Sequence, residues 1–176
     1  MTLVELVRDA LAGPDRPLLH ERDAGADWHT LGTQDVLERV TAIAAALRAD
    51  GLVPGDRVAL LSANRVDWIL ANLGILFAGG VSVPIYATAA LDHVCYIVAD
   101  SGARAVFVDT PVVADHLRGA GITLEPIVFD APPEAANSFA ALLARGRSAA
   151  AQPAAPEPTP DDLAVLIYTS GTTGMP

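Results

Sequence analysis

The chain contains no lysine. All 11 of its basic residues are arginine, against 21 Asp and Glu, for a formal net charge of −10. An acidic chain without a basic cluster is a poor partner for nucleic acid, and none is expected. Cysteine is nearly absent as well. Cys95 stands alone, so no disulfide can form within the chain, and nothing argues for secretion. Its setting, LDHVCYIVAD, repeats apolar residues at helical spacing, which predicts a small buried core residue. The four histidines, His20, His29, His93 and His116, are scattered without a pair at ligand spacing, and no structural metal is expected. Asp161-Asp162 is read as a solvated turn, and Trp28 and Trp68 as packing residues. The N-terminal MTLVELVRDALAG lacks a basic start followed by an apolar run. It is not a signal peptide, and a cytoplasmic location is expected by default. No charge occurs from Trp68 to Leu91, a length that could span a bilayer. Asn72, Gly74, Gly79, Gly80, Ser82 and Pro84 interrupt it, so we read helix, turn and buried strand, with no transmembrane segment.

What is present points to a folded chain. Apolar residues make up 52% and charged residues 18% of 176 positions, enough for one domain with a core. Residues 2–12 form an amphipathic pattern. PLLHE and DWHT, around DAGAD, predict a small hairpin. Val36, Leu37, Val40, Ile43, Ala44 and Leu47 mark a helix, with Thr33 as N-cap and Gly51 as stop. Strands are then predicted at 57–62, 81–85, 104–109, 124–130 and 163–170. Helices are predicted from an Asn64 cap to about Ala78, over 91–100, from Pro111 onward and over 138–146. Short apolar strands alternating with helices predict an open, doubly wound, mainly parallel α/β sheet with helices on both faces. Residues 147–162 differ: four prolines between 153 and 160 exclude a helix and suggest an exposed connection within one domain.

The last fourteen residues, LAVLIYTSGTTGMP, carry the chemistry. A buried strand runs into Thr169, Ser170, Gly171, Thr172, Thr173 and Gly174. Ligands of open α/β sheets bind beyond the carboxyl ends of strands. Gly171 and Gly174 allow backbone N–H groups close to a phosphate, and the four hydroxyls can donate to its oxygens or face a bound Mg2+. The spacing is not GxxxxGK[ST], and no lysine follows Gly174. On composition alone, a plain Gly/Thr turn remains an alternative.

YTSGTTGMP resembles the phosphate-binding signature of the adenylate-forming superfamily, which includes acyl-CoA synthetases, luciferases and the adenylation domains of peptide synthetases. GLVPGDRVALLSANRVDWILANLGILFAGGVSVPIY is similar to the first βαβ unit of these enzymes, and DSGARAVFVD to the next. VPIY, residues 83–86, leans toward the long-chain fatty acyl-CoA ligase branch. The resemblance covers roughly residues 3–176 and is weak at 25–33.

The resemblance implies the N-terminal part of a large adenylation domain, continuing beyond Pro176 in its own chain. It implies a two-step ligase. A carboxylic acid, most like a long-chain fatty acid, attacks the α-phosphate of ATP, and CoA then takes the acyl group and releases AMP. Thr169 to Gly174 would grip the ATP phosphates and leaving pyrophosphate, with Mg2+ as cofactor and Thr169 the candidate Mg2+ contact. A peripheral membrane contact is compatible with such a substrate. The family's catalytic lysine, Mg2+-binding glutamate, and adenine and ribose contacts lie further along its chain. No catalytic residue is therefore assigned here, and residues 1–176 alone are expected to be inactive. The alternatives are a fatty acyl-AMP ligase, a carrier-protein-dependent adenylation domain, and a non-catalytic relic or partner-binding module.

Overall fold

A computed structural model describes residues 1–22, 27–149 and 157–169. Helix α1 (Leu3–Leu11) begins in a capping box, the Thr2 hydroxyl accepting from the Glu5 N–H and the Glu5 carboxylate from the Thr2 N–H. Strands β1 (Pro17–Arg22) and β2 (Trp28–Gly32) form the expected antiparallel hairpin. Its turn, 23–26, lies outside the described residues.

Helix α2 (Thr33–Ala49) starts one residue earlier than a Thr33 cap requires: Gly32 is the cap, its N–H donating to Asp35, and Thr33 is the first helical residue. Strand β3 (Arg57–Ser62) is followed by α3 (Val66–Phe77), β4 (Val81–Tyr86), α4 (Leu91–Asp100), β5 (Ala105–Val108), α5 (Pro111–Gly119), the two-residue β6 (Ile127–Val128) and α6 (Phe139–Ala149). Asn64 does not cap α3. That place belongs to Arg65, extended in backbone and without a side-chain cap bond. The Arg65 guanidinium is held by Asp67, by Asp130 and over the ring of Phe129, so tertiary contacts set the start of this helix.

The main sheet is parallel, in the order β4-β3-β5-β6. One face, with Val58, Leu60 and Phe107, packs under α2, α3 and α6. The other, with Ala59, Leu61, Val83, Ile85, Val106 and Val108, packs under α4 and α5. This is the doubly wound α/β arrangement with helices on both faces. On the first face Phe107, Phe129 and Phe139 form a ring cluster, with centroids 5.0 to 6.4 Å apart.

Helix α2 lies against both α3 and α6. It can approach them closely because small residues meet at the crossings. A methyl group on Gly74 would stand 2.4 Å from Ile43 Cγ2, and one on Gly146 would stand 1.8 Å from the Ala42 carbonyl oxygen. Alanines at 42, 44, 45 and 46, all buried, supply the thin surface on the α2 side.

Three predicted strands are shorter than expected. The one at 104–109 loses a residue at each end, leaving Ala105–Val108. The one at 124–130 is confined to Ile127–Val128, since Pro126 removes a ladder donor. The one at 163–170 pairs with β4 only through a parallel bridge between Val165 and Ser82. Burial nevertheless alternates strictly from Leu163 to Thr169, as in a half-covered strand. Residues 157–162 are mostly exposed.

Candidate nucleotide-phosphate site

The fold sets one end of the parallel sheet apart. Strand β3 connects through α3 on one face and β5 through α5 on the other, so the crevice between their carboxyl ends is a topological switch point. Asp109, just past β5, fills it. Its carboxylate takes the Ser62 hydroxyl hydrogen bond and, at 3.1 Å, the Ala63 N–H. The Arg65 guanidinium bonds Asp67 at 2.9 Å and Asp130 at 2.8 Å and lies 5.3 Å from the Phe129 ring centre. Burial opposes its charge, but the two carboxylates more than offset this and raise its pKa. Two carboxylates thus pair the terminal nitrogens of Arg65, while its buried Nε has no hydrogen-bond partner among the described residues.

The chain segment that leads to the hydroxyl- and glycine-rich run lies at the outer side of β4. Ala164 and Leu166 bracket Ser82: the Ser82 N–H donates to the Ala164 carbonyl and the Leu166 N–H to the Ser82 carbonyl, both at 2.9 Å. Leu166 and Tyr168 pack into the α4 side of the core. The Tyr168 hydroxyl donates to Asp100 Oδ2 at 2.6 Å, and its ring stands edge-on to Tyr96 at 6.4 Å. Burial, and then the Asp100 carboxylate, push the phenol up to about 12, so it stays a hydrogen-bond donor at ordinary pH.

Of the sequence-predicted site residues, Thr169 is described and is exposed at the end of this segment. Ser170, Gly171, Thr172, Thr173 and Gly174 lie outside the described residues. Reading the sequence alone missed Asp109 and the Tyr168–Asp100 pair. An acid closing the strand RAVFVD was a usable signal for the first, whereas nothing local links residues 68 positions apart.

The remaining candidates fall as follows. Cys95 is a free thiol and half-buried rather than buried. His20 shares a hydrogen bond with Thr30 at 3.0 Å. Trp68 packs against the core, whereas Trp28 is 67% exposed at the start of β2 and is not part of the core. Asp162 closes a turn by accepting the Thr159 N–H. Among the described residues no group of three His, Cys, Asp or Glu could hold a metal ion. Mg2+ ordinarily takes one or two carboxylates together with phosphate oxygens. A lone exposed threonine hydroxyl does not meet that demand, so the described residues do not fit a resident Mg2+. No described helix is long and apolar enough to cross a membrane. Two clefts of about 560 and 590 Å3 are lined by neither Tyr168 nor Thr169; the second meets this segment only at its start, Leu163 and Ala164.

Comparison with known proteins covers nearly the whole chain. The family model described as AMP-binding enzyme matches residues 6–176. A long-chain-fatty-acid–CoA ligase of Mycobacterium bovis is 31% identical over 173 residues, covering 90% of this chain and 27% of that protein. A long-chain-fatty-acid–CoA ligase of Mycobacterium tuberculosis is 38% identical over 134 residues, covering 74% of this chain and 25% of that protein. The crystal structure of the adenylation domain of a carboxylate reductase from Mycobacterium chelonae superposes with a TM-score of 0.82 at 30% identity. It covers 99% of this chain and 33% of that one. The chain thus spans about a quarter of the length of the curated relatives it matches.

Proposed function

Because this chain belongs to the AMP-binding enzyme family, we propose that it is the N-terminal part of a ligase that converts a carboxylic acid to an acyl-adenylate with ATP. In the second step the acyl group passes to CoA and AMP leaves. The observation that carries this is a single continuous one. A strand edge at 163–168 delivers Thr169 to solvent at the head of the run Ser170, Gly171, Thr172, Thr173, Gly174, inside the matched segment.

The physical demand of the first step is charge handling. An anionic carboxylate must approach an anionic nucleotide while pyrophosphate departs. Donors fixed before the reaction lower that barrier most, because they need no reorganisation as charge moves. Hydroxyls and glycine N–H groups are such donors. They bind β- and γ-phosphate oxygens without bringing a counter-charge that the departing pyrophosphate would have to leave behind. Mg2+ enters this reading as the nucleotide's own counter-ion, and no step is assigned to it. The proton balance is simple: the acid reacts as its carboxylate, so no general base is required for adenylation. The incorporation of residues 1–176 in a longer domain belongs to the same proposal; of the expected connection 147–162, residues 147–149 are instead the last turn of α6, where Arg147 pairs with Glu38.

The relatives named as long-chain-fatty-acid–CoA ligases favour a fatty acid as substrate and CoA as acceptor. A second reading rests on the carboxylate reductase adenylation domain, which matches 99% of the chain at 30% identity. In that reading the adenylate forms in the same way, but the acyl group goes to a carrier-bound acceptor. One experiment addresses both. The full-length gene product is assayed for ATP–pyrophosphate exchange with a panel of carboxylic acids, then for AMP release with and without CoA. Acid-dependent exchange with CoA-dependent AMP release is expected. Exchange without any response to CoA favours the second reading, and no exchange with any acid overturns both.

A further inference from the structure

The polypeptide approaching Thr169 is held unevenly. Backbone pairing with β4 ends at Leu166, whose N–H bonds the Ser82 carbonyl; beyond it, among the described residues, no backbone hydrogen bond ties 167–169 to the sheet. Side chains take over. Ile167 is 65% exposed and offers nothing to the interior, whereas Tyr168 turns inward against Tyr96 and donates to Asp100. The last described hydrogen bond before the run is therefore the one from the Tyr168 hydroxyl, beside the packing of its ring.

Its acceptor is unusually placed. Asp100 is the final residue of α4, where the helix macrodipole disfavours an anion. A negative group there gains from a dedicated donor, and Tyr168 supplies it. The same helix end is fixed from the sheet: Arg57 of β3 donates from Nε to the Ser101 carbonyl at 2.6 Å and from its terminal nitrogen to the Gly102 carbonyl at 3.1 Å. These bonds satisfy carbonyls that the helix leaves unpaired. A continuous set of contacts thus runs from the central strand through the end of α4 to the ring of Tyr168.

We propose that Tyr168 and Asp100 form a positioning clamp that fixes where the chain leaves the sheet and enters the Thr169–Gly174 run. Neither residue touches nucleotide; Asp100 acts through Tyr168, and Tyr168 through the backbone that follows it. The inference rests on reading that run as the phosphate-binding loop. Backbone donors must sit within a fraction of an ångström of a phosphate oxygen to be useful, so freeing the entry point weakens phosphate binding without changing any loop residue.

The test uses the full-length enzyme and the variants Y168F, D100A and D100N. Y168F keeps the ring and removes only the hydroxyl. A hydrogen bond to a charged group is worth enough for about a tenfold rise in KM for ATP in Y168F and D100A, with KM for the carboxylic acid unchanged. D100N retains an oxygen acceptor for the phenol and restores most of the loss. The double variant Y168F/D100A is no worse than either single one, since both remove the same bond. Independently of catalysis, the Leu166 amide, which bonds the Ser82 carbonyl next to the clamp, exchanges about tenfold faster in Y168F while α4 and β3 stay protected. A Y168F enzyme with unchanged ATP KM and unchanged exchange of the Leu166 amide overturns the clamp. So does a loss that raises both KM values equally and is not restored in D100N. A wild-type enzyme inactive with every acid overturns the enzymatic reading instead, and the exchange measurement still decides the clamp.

Discussion

At the level of single residues, position in the fold matters more than residue type. Asn64 is the better capping residue by chemistry, yet Arg65 occupies the cap, because its guanidinium is committed to Asp67, Asp130 and the face of Phe129. None of those partners could be inferred from the local sequence. Gly146 makes the same point in reverse. The helix predicted over 138–146 ends at Gly146, but Gly146 lies inside α6, buried against the Ala42 backbone. Because the obstruction is a backbone carbonyl and not a flexible side chain, the G146A methyl can be admitted only by moving α6 away from α2. We expect that substitution to destabilise the protein by about 1–3 kcal/mol, read as a lower urea midpoint with an unchanged slope. A midpoint equal to wild type would mean that the two helices are not in close contact.

Whole elements were legible where apolar spacing is undiluted. Strand β3 and helix α4 have the boundaries that their patterns suggest, because both are buried along their length or along one stripe. The β6 and 163–168 segments were overestimated because strand extent there depends on neighbours, and hydrophobicity alone does not reveal a missing partner. How α6 is held to α2 was also invisible. Arg147 grips Glu38 at 2.7 and 3.2 Å, and Arg145 reaches Asp50 at 3.0 Å. The Arg147 hydrogen bond holds the Glu38 carboxyl below its ordinary 4.5. A depressed carboxylate pKa adds stability that is present above the unfolded value and lost as pH falls through the folded one. Both side chains are about half exposed, so solvent screening keeps the contribution of the pair under about 1 kcal/mol. E38Q should therefore be slightly less stable than wild type at pH 7, and the gap should close as the solution is acidified below 4.5. Thermal melts of both proteins across that range would show it; a gap that persists in acid would assign the effect to packing.

For the molecule as a whole, the described residues leave one border of the sheet open. Leu163, Val165 and Ile167 are 70%, 37% and 65% exposed, and Tyr86, at the end of the adjoining strand, is 81% exposed. From 163 to 168 there is no charge and no proline, the two devices that usually blunt an edge strand. A 176-residue polypeptide with this border should self-associate. Its net charge of −10 opposes that, since every copy repels every other. The two effects respond differently to salt, which separates them. Screening shortens the range of repulsion to about 10 Å at 0.1 M ionic strength and leaves apolar burial intact. Association through the 163–168 edge should therefore tighten as salt is added, and sedimentation velocity should show larger species at 0.5 M than at 0.05 M NaCl. I167K places a charge on the exposed face without touching the covered one, and should return the protein to monomer with an unchanged melting temperature. If salt instead disperses the assemblies, or if I167K assembles like wild type, then charge pairs or another surface hold the copies together, and the 163–168 edge is not what they share.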